Sequence, residues 1–475
     1  MLFNSIDFAI FLPIIFILYW FLAKNSLRWQ NILLVAASYV FYAWWDYRFL
    51  ALIILSTLVD YSVARLMSKP AFKTKRKVLL LLSVGFNLGL LGFFKYYNFF
   101  IESWISAWEA SGVNIQSSTL NIILPVGISF YTFQTLSYTI DVYRGKLEPS
   151  RHLEQFMAYV AFFPQLVAGP IERASHLLPQ FQKPRVFQSK FATSGVNLII
   201  WGVFKKVVIA DNCAFFVNQI FDAPSGFSSL ELFLGALLFA FQIYGDFSGY
   251  SDIAIGIARL FGFSLMTNFS FPYFSRNIAE FWRRWHISLS TWFRDYLYIP
   301  LGGSKGGTIS KLRNVMLVFL VSGLWHGANW TFVVWGGLHG LLFVPLLLVK
   351  RNRTYLDTTR LKFSQLPFIL LTFILVVLAW VFFRADSISL AFDYLQSILK
   401  LKDMSLNFFF KSSKFVLFSA IIVVSLVVLL SYELVAVQNN YKEVRLSRVS
   451  AVFVSILIIF MGAFKNPSDF IYFQF

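Results

Sequence analysis

Five histidines stand out in a chain poor in titratable groups: His152, His176, His286, His326 and His339. His326 lies in Gly323-Leu324-Trp325-His326-Gly327-Ala328-Asn329-Trp330, between two tryptophans and several small residues, inside an apolar stretch. An ionisable group at membrane depth is costly, about 2.5–3.5 kcal/mol for Lys, Arg or Asp even on the lenient insertion scale. A neutral imidazole is cheaper to bury and can take a proton from a hydroxyl or thiol. Asn329, three residues on, shares the face of His326 if the segment is helical, and would orient the ring or a substrate carbonyl. Gly323 and Gly327 would let a substrate come close to the backbone. The competing reading is a structural histidine bonded to a neighbouring helix, and the residues alone leave both open. His339, thirteen residues further on, is expected to point elsewhere and to serve packing.

Three other constellations interrupt the apolar pattern. In the stretch from Phe281 to Tyr296, arginines and tryptophans interleave at near-helical spacing. Arg283, Arg284 and His286 would suit an anionic phosphate or pantetheine group. Spacing alone favours a plainer reading, an interfacial amphipathic helix anchored by its Trp rings. The run Tyr244-Gly245-Asp246-Phe247-Ser248-Gly249-Tyr250-Ser251-Asp252 carries two carboxylates six apart, which is no calcium loop. Asp246 and Asp252 either line a polar pocket or, as depth favours, pair with bases such as Arg259, Arg276 or Arg283. The segment from Pro164 to Arg173 reads as a broken helix end. Gly302-Gly303-Ser304-Lys305-Gly306-Gly307 lacks the phosphate-loop spacing and reads as a flexible basic loop. Nucleophile-elbow, zinc-protease and dinucleotide motifs are absent from the sequence.

The elements that must hold these residues follow from composition. The 475 residues are 58% hydrophobic, 19% aromatic and 13% charged, about half the usual charged fraction. A soluble chain could not hide that much apolar surface behind so few charges. A polytopic helical membrane protein remains, with length for roughly ten to twelve crossings. Apolar runs recur from Phe8–Ala23 to Val449–Phe464, and no repeat or long polar linker divides them, so one integral domain over 1–475 is expected. The net charge of +18 fits basic loops on the cytoplasmic side better than nucleic-acid binding. The single cysteine, Cys213, excludes an internal disulfide and a multi-cysteine metal site, and no metal is expected.

Lys24 and Arg28 follow the first run, and Lys69, Lys73, Lys75, Arg76 and Lys77 follow the third. These clusters place the N-terminus outside and both loops inside. Asp60 and Arg65, within the third run, and Asp246 are the buried-looking charges. Lys305, Lys311 and Arg313 precede, and Lys350, Arg351 and Arg353 follow, the stretch 314–349. If both clusters are cytoplasmic, that stretch is a hairpin with His326 at its tip.

Taken together, these strings resemble the membrane-bound O-acyltransferase family, in its bacterial branch that acetylates exported polysaccharides. The resemblance runs over nearly the whole chain: Met1-Leu2-Phe3-Asn4-Ser5, Ala168-Gly169-Pro170-Ile171, Gly245 to Asp252, Trp282 to Ser290, Trp325-His326-Gly327 and Phe470 to Phe475. It implies an all-α polytopic fold of about eleven transmembrane helices, with short re-entrant and interfacial helices, around a central tunnel. It assigns the catalytic role to His326 and the family's second polar position to His286. Asn329, Trp325, Arg283, Arg284 and Asp246 are the candidates for binding or orienting substrate. It further implies no bound cofactor, acetyl-CoA as cytoplasmic donor, a periplasmic acetyltransferase partner and a polysaccharide acceptor, in the bacterial inner membrane. The alternatives are D-alanyl or peptidoglycan acyl transfer, lysophospholipid acylation, and a non-catalytic acyl transporter or scaffold.

Overall fold

The computed structural model describes all residues except 24–25, 116–118, 168, 357–359, 465–469 and 472–475. Lys24, Ala168 and the last four residues of the closing motif thus lie outside the described residues. The described residues are 75% helical and contain no strand. Six stretches are long and apolar enough to cross a bilayer: Leu27–Met67, Pro70–Glu109, Ser229–Leu260, Trp330–Leu348, Phe363–Arg384 and Ser413–Gln438. Two compact units emerge, Met1–Ala192 with Ile257–Leu265, and Thr193–Gly256 with Met266–Phe475.

In the first unit, Ser26 caps the helix Leu27–Asp46 by accepting from Trp29 N–H. That helix stops where Asp46 turns back to accept from the backbone and guanidinium of Arg48, so the two charges of this turn pair with each other. The next helix, Leu50–Met67, meets Arg76–Leu91 and Ile128–Tyr143 through a fully buried polar cluster. The amide of Asn87 donates to both oxygens of Asp60, at 3.1 and 2.9 Å. Ser83 and Thr139 donate to the same carboxylate, and Ser56 donates to Asn87. Hydroxyls and amides supply here what water cannot, which makes a membrane-depth carboxylate tolerable. Arg65, grouped with Asp60 in the sequence as buried-looking, is instead exposed, because its position on the helix turns away from that cluster.

In the second unit, the helix Ser189–Val203 gives way to a π-helical stretch, Phe204–Ala210. The wider turn carries Lys205 and Lys206 inward, against the 32-residue helix Ser229–Leu260. Helices Thr308–His326 and Trp330–Leu348 form an antiparallel pair with only Gly327–Asn329 between them. This is the hairpin that the flanking basic clusters predict. Only its second arm is apolar enough to qualify as a span, since the first begins with Lys311, Arg313 and Asn314. The arms touch backbone to backbone: a Cβ on Gly323 would overlap the carbonyl oxygen of Phe332, and one on Gly327 would overlap the Phe332 ring. These glycines make room for the partner helix, which corrects the expectation that they admit substrate. The buried Asn314 donates to the carbonyls of Leu301 and Gly303 and so pins the basic loop between them.

Candidate active site

The site is built where the hairpin turn meets two short helices, Ile278–Arg284 and Ile287–Phe293. His326 is the last residue of the first hairpin arm and is only 2% exposed. Its ring lies 5.1 Å from Trp325 and 5.1 Å from Trp335, with Phe383 at 5.5 Å (centroid distances). The His286 ring is 6.1 Å away. Ring centres that far apart are too distant for a direct hydrogen bond between the imidazoles.

His286 occupies the junction of the two short helices in a left-handed conformation, φ 42°, ψ 54°. A non-glycine residue in that region costs of order 1–3 kcal/mol and persists only where its surroundings impose it. Asn268 does so: its carbonyl accepts from Ile287 N–H, and its side chain accepts from Ser288 N–H and Oγ. Fully buried, with Phe247 at 4.7 Å and Trp325 at 5.9 Å, His286 has no hydrogen-bond partner at either ring nitrogen among the described residues. A buried imidazole without protein partners costs free energy, which sets His286 apart from an ordinary packed side chain.

The aromatic wall extends to His339, which the sequence assigns to packing elsewhere. The antiparallel hairpin returns it to the same cluster, 4.9 Å from Trp335. Trp282 donates to its Nδ1 at 3.3 Å. Trp285 stands 5.0 Å from Trp380, which stacks on Trp335 at 5.3 Å. The tryptophans of the 281–296 stretch are therefore core: Trp285 is fully buried, and Trp282 and Trp292 nearly so. Their rings pack inside the protein rather than serving as headgroup anchors.

Three of the candidate substrate contacts also make structural bonds. Asn329 caps the second hairpin arm, its Oδ1 accepting from Thr331 N–H at 3.0 Å and its Nδ2 donating to the Asp386 carbonyl at 3.1 Å. Each polar atom thus makes a bond within the turn. Arg284 pairs with buried Glu280 at 2.7 Å, and Glu280 also holds Arg276 at 2.7 Å. Half-buried Arg283 donates to the carbonyls of Asn352 and Thr354. These arginines fasten the short helix and the segment after the hairpin.

Asp246 likewise serves an ion pair, with a partner that the sequence reading missed. Lys206 Nζ sits 2.9 Å from Asp246 and 2.9 Å from Asp211, and Asp246 also accepts from Ile471 N–H. Lys205 pairs with Asp252 at 2.6 Å and donates to Ser248. Tyr244 donates to Glu433 at 2.6 Å beside them. Two lysines inside the apolar run 195–210, facing a run with two aspartates, were the available signal. Among the described residues, no cluster of His, Cys, Asp or Glu could hold a metal.

Similarity to known proteins defines the class. The pattern of the membrane-bound O-acyltransferase family matches residues 149–388, a range that includes His286 and His326. The chain is 44% identical to a probable alginate O-acetylase, AlgI, of Pseudomonas putida, over 82% of its own length and 79% of that protein. It is 38% identical to a peptidoglycan O-acetyltransferase of Helicobacter pylori, covering 86% and 81% respectively. A teichoic acid D-alanyltransferase of Bacillus subtilis is 28% identical over 53% of this chain and 67% of its own. The chain belongs to the membrane-bound O-acyltransferase family and is a multi-pass membrane enzyme.

Proposed function

We propose that this protein takes an acetyl group from a cytoplasmic donor, acetyl-CoA, and passes it across the inner membrane for O-acetylation of an exported, alginate-like polysaccharide. The observation that carries the chemistry is the pair of buried imidazoles, His326 and His286, 6.1 Å apart and both beside Trp325. In this reading a hydroxyl oxygen of the first acceptor, the periplasmic acetyltransferase, attacks the thioester carbonyl while neutral His326 takes the hydroxyl proton. As the tetrahedral intermediate collapses, the carbon–sulfur bond breaks and the proton passes to the leaving thiolate. His286 donates a hydrogen bond to the developing oxyanion. The tryptophan walls exclude water, which otherwise would hydrolyse the thioester. Trp325, beside both rings, shapes the space for the acetyl group.

About eleven spans around a central tunnel would bring donor and acceptor to these rings from opposite faces. A periplasmic acetyltransferase would then hand the acyl group to the polymer. A single acyltransferase domain comprising both compact units fits this design. The identity margin supports an alginate-like acceptor over peptidoglycan, and the D-alanyl alternative has the weakest similarity.

Deleting the gene and measuring ester-linked acetate on each polymer tests the acceptor. Loss confined to exported polysaccharide, restored by the intact gene, is expected. Loss confined to peptidoglycan would transfer the assignment to the second acceptor.

A further inference from the structure

The second unit holds an apolar cavity of about 550 Å³ that the acyl-transfer chemistry does not use. Phe241 of the long helix, Tyr273, Ile369 and Phe373 form its inner wall, and Leu430 and Leu434 its opposite side. It therefore lies between Phe363–Arg384 and Ser413–Gln438, the two most apolar spans, of mean hydropathy 2.8 and 2.7. The volume falls in the range of specific ligand sites, about 300–1,000 Å³.

Outward-facing Leu366, Leu370 and Leu434 are exposed apolar residues on its rim, so the opening faces the hydrocarbon of the bilayer. One end is polar. Lys362 and Gln438 line it there, and Gln438 donates to the Leu361 carbonyl, which fixes that edge. Lys362 is exposed, and no carboxylate pairs with it among the described residues. It ends a segment, 350–362, with five Lys or Arg against one Asp. Such a segment beside a span belongs on the cytoplasmic side, where anionic lipid headgroups concentrate.

We propose that this groove is a binding site for a phospholipid with an anionic headgroup. One fatty-acyl chain lies against Phe241, Tyr273 and Phe373, and the headgroup phosphate lies at Lys362. The charge at one end and hydrocarbon-facing leucines along the rest match the two halves of that molecule. Tyr273 separates the chain from the catalytic enclosure, its ring stacked 6.1 Å from Trp285.

Native mass spectrometry of the delipidated full-length protein, titrated with phosphatidylglycerol or phosphatidylcholine of identical chains, tests the site. Phosphatidylglycerol is expected to bind at least tenfold more tightly. Lys362→Glu, an exposed change that leaves the fold intact, is expected to abolish that preference. Leu434→Trp, which fills the groove, is expected to weaken both lipids while leaving the circular dichroism unchanged. Equal binding of the two lipids by the unaltered protein, or a preference that survives Lys362→Glu, would overturn the proposal. So would lipid binding indifferent to Leu434→Trp. Displacement of bound phosphatidylglycerol by palmitoyl-CoA with dependence on Leu434 would reassign the groove to the acyl donor. None of these outcomes bears on whether His326 transfers acetyl groups.

Discussion

At the residue scale, two imidazoles that share an enclosure need not contribute equally. His326 is asked to move a proton, which is typically worth 10²–10⁴ in rate, whereas His286 is asked to donate one hydrogen bond. His286→Ala should therefore cut the initial rate of acetyl transfer at least tenfold, and His286→Asn, which keeps a donor, should recover part of it. Full activity in His286→Ala would reduce that residue to a packing role. His176, in the first unit, supplies a separate pH test. Its hydrogen bond to Glu172, 2.7 Å away, raises its pKa above the ordinary value, with partial burial opposing. A raised imidazole pKa stabilises the fold fully below about pH 6.5, and the stabilisation fades as pH rises through the folded-state value. The melting-temperature advantage of the intact protein over Glu172→Gln should thus be largest near pH 5 to 6 and shrink toward pH 9. An advantage independent of pH would disprove a charged pair. Half exposure of the imidazole keeps this effect small.

At the scale of elements, the hairpin was readable because opposite-facing constraints mark it in sequence: basic clusters at both ends and small residues at the turn. Gly323→Val should wreck the contact between its arms, since the added carbons meet the Phe332 carbonyl rather than a movable side chain. Overpacking of this kind costs about 1–3 kcal/mol or more, and a lower melting temperature with reduced membrane yield is the expected readout. The π-helical turn at Phe204–Ala210 was not readable, because a single widened turn leaves the apolar pattern intact while rotating Lys205 and Lys206 inward. For the same reason the partners of Asp246 and Asp252 were sought among distant arginines. Lys206→Met would strip the ammonium shared by Asp211 and Asp246 and should cost about 3–5 kcal/mol. Adding Asp246→Asn should restore part of that loss. A single variant as stable as the parent would show that the pair carries no structural weight. Asn268 also escaped notice, since nothing local distinguishes an amide that props up a strained histidine from one in an ordinary turn.

At the scale of the whole molecule, composition alone established a helical membrane protein, because no soluble surface could be assembled from so few charges. The same economy left the interior hard to read. Aromatic residues face lipid, one another and the histidines alike, so the placement of Trp282, Trp285 and His339 in one cluster depends on long-range packing. Orientation depends on the basic loops, and it is open to a direct check. Cys213, the single cysteine, is fully buried, so the native protein should resist a membrane-impermeant maleimide and Lys73→Cys should provide the reactive probe. Labelling of Lys73→Cys only after the membrane is permeabilised is expected. Labelling of intact spheroplasts would invert the topology.

The most direct test follows acetyl transfer from labelled acetyl-CoA to an oligosaccharide acceptor by the protein in proteoliposomes supplied with its periplasmic acetyltransferase partner, comparing the parent with His326→Ala at matched insertion and melting temperature. A loss of at least a hundredfold in the first-turnover rate is predicted. A normally folded His326→Ala protein that transfers acetyl within threefold of the parent would contradict the assignment of His326 as the proton acceptor.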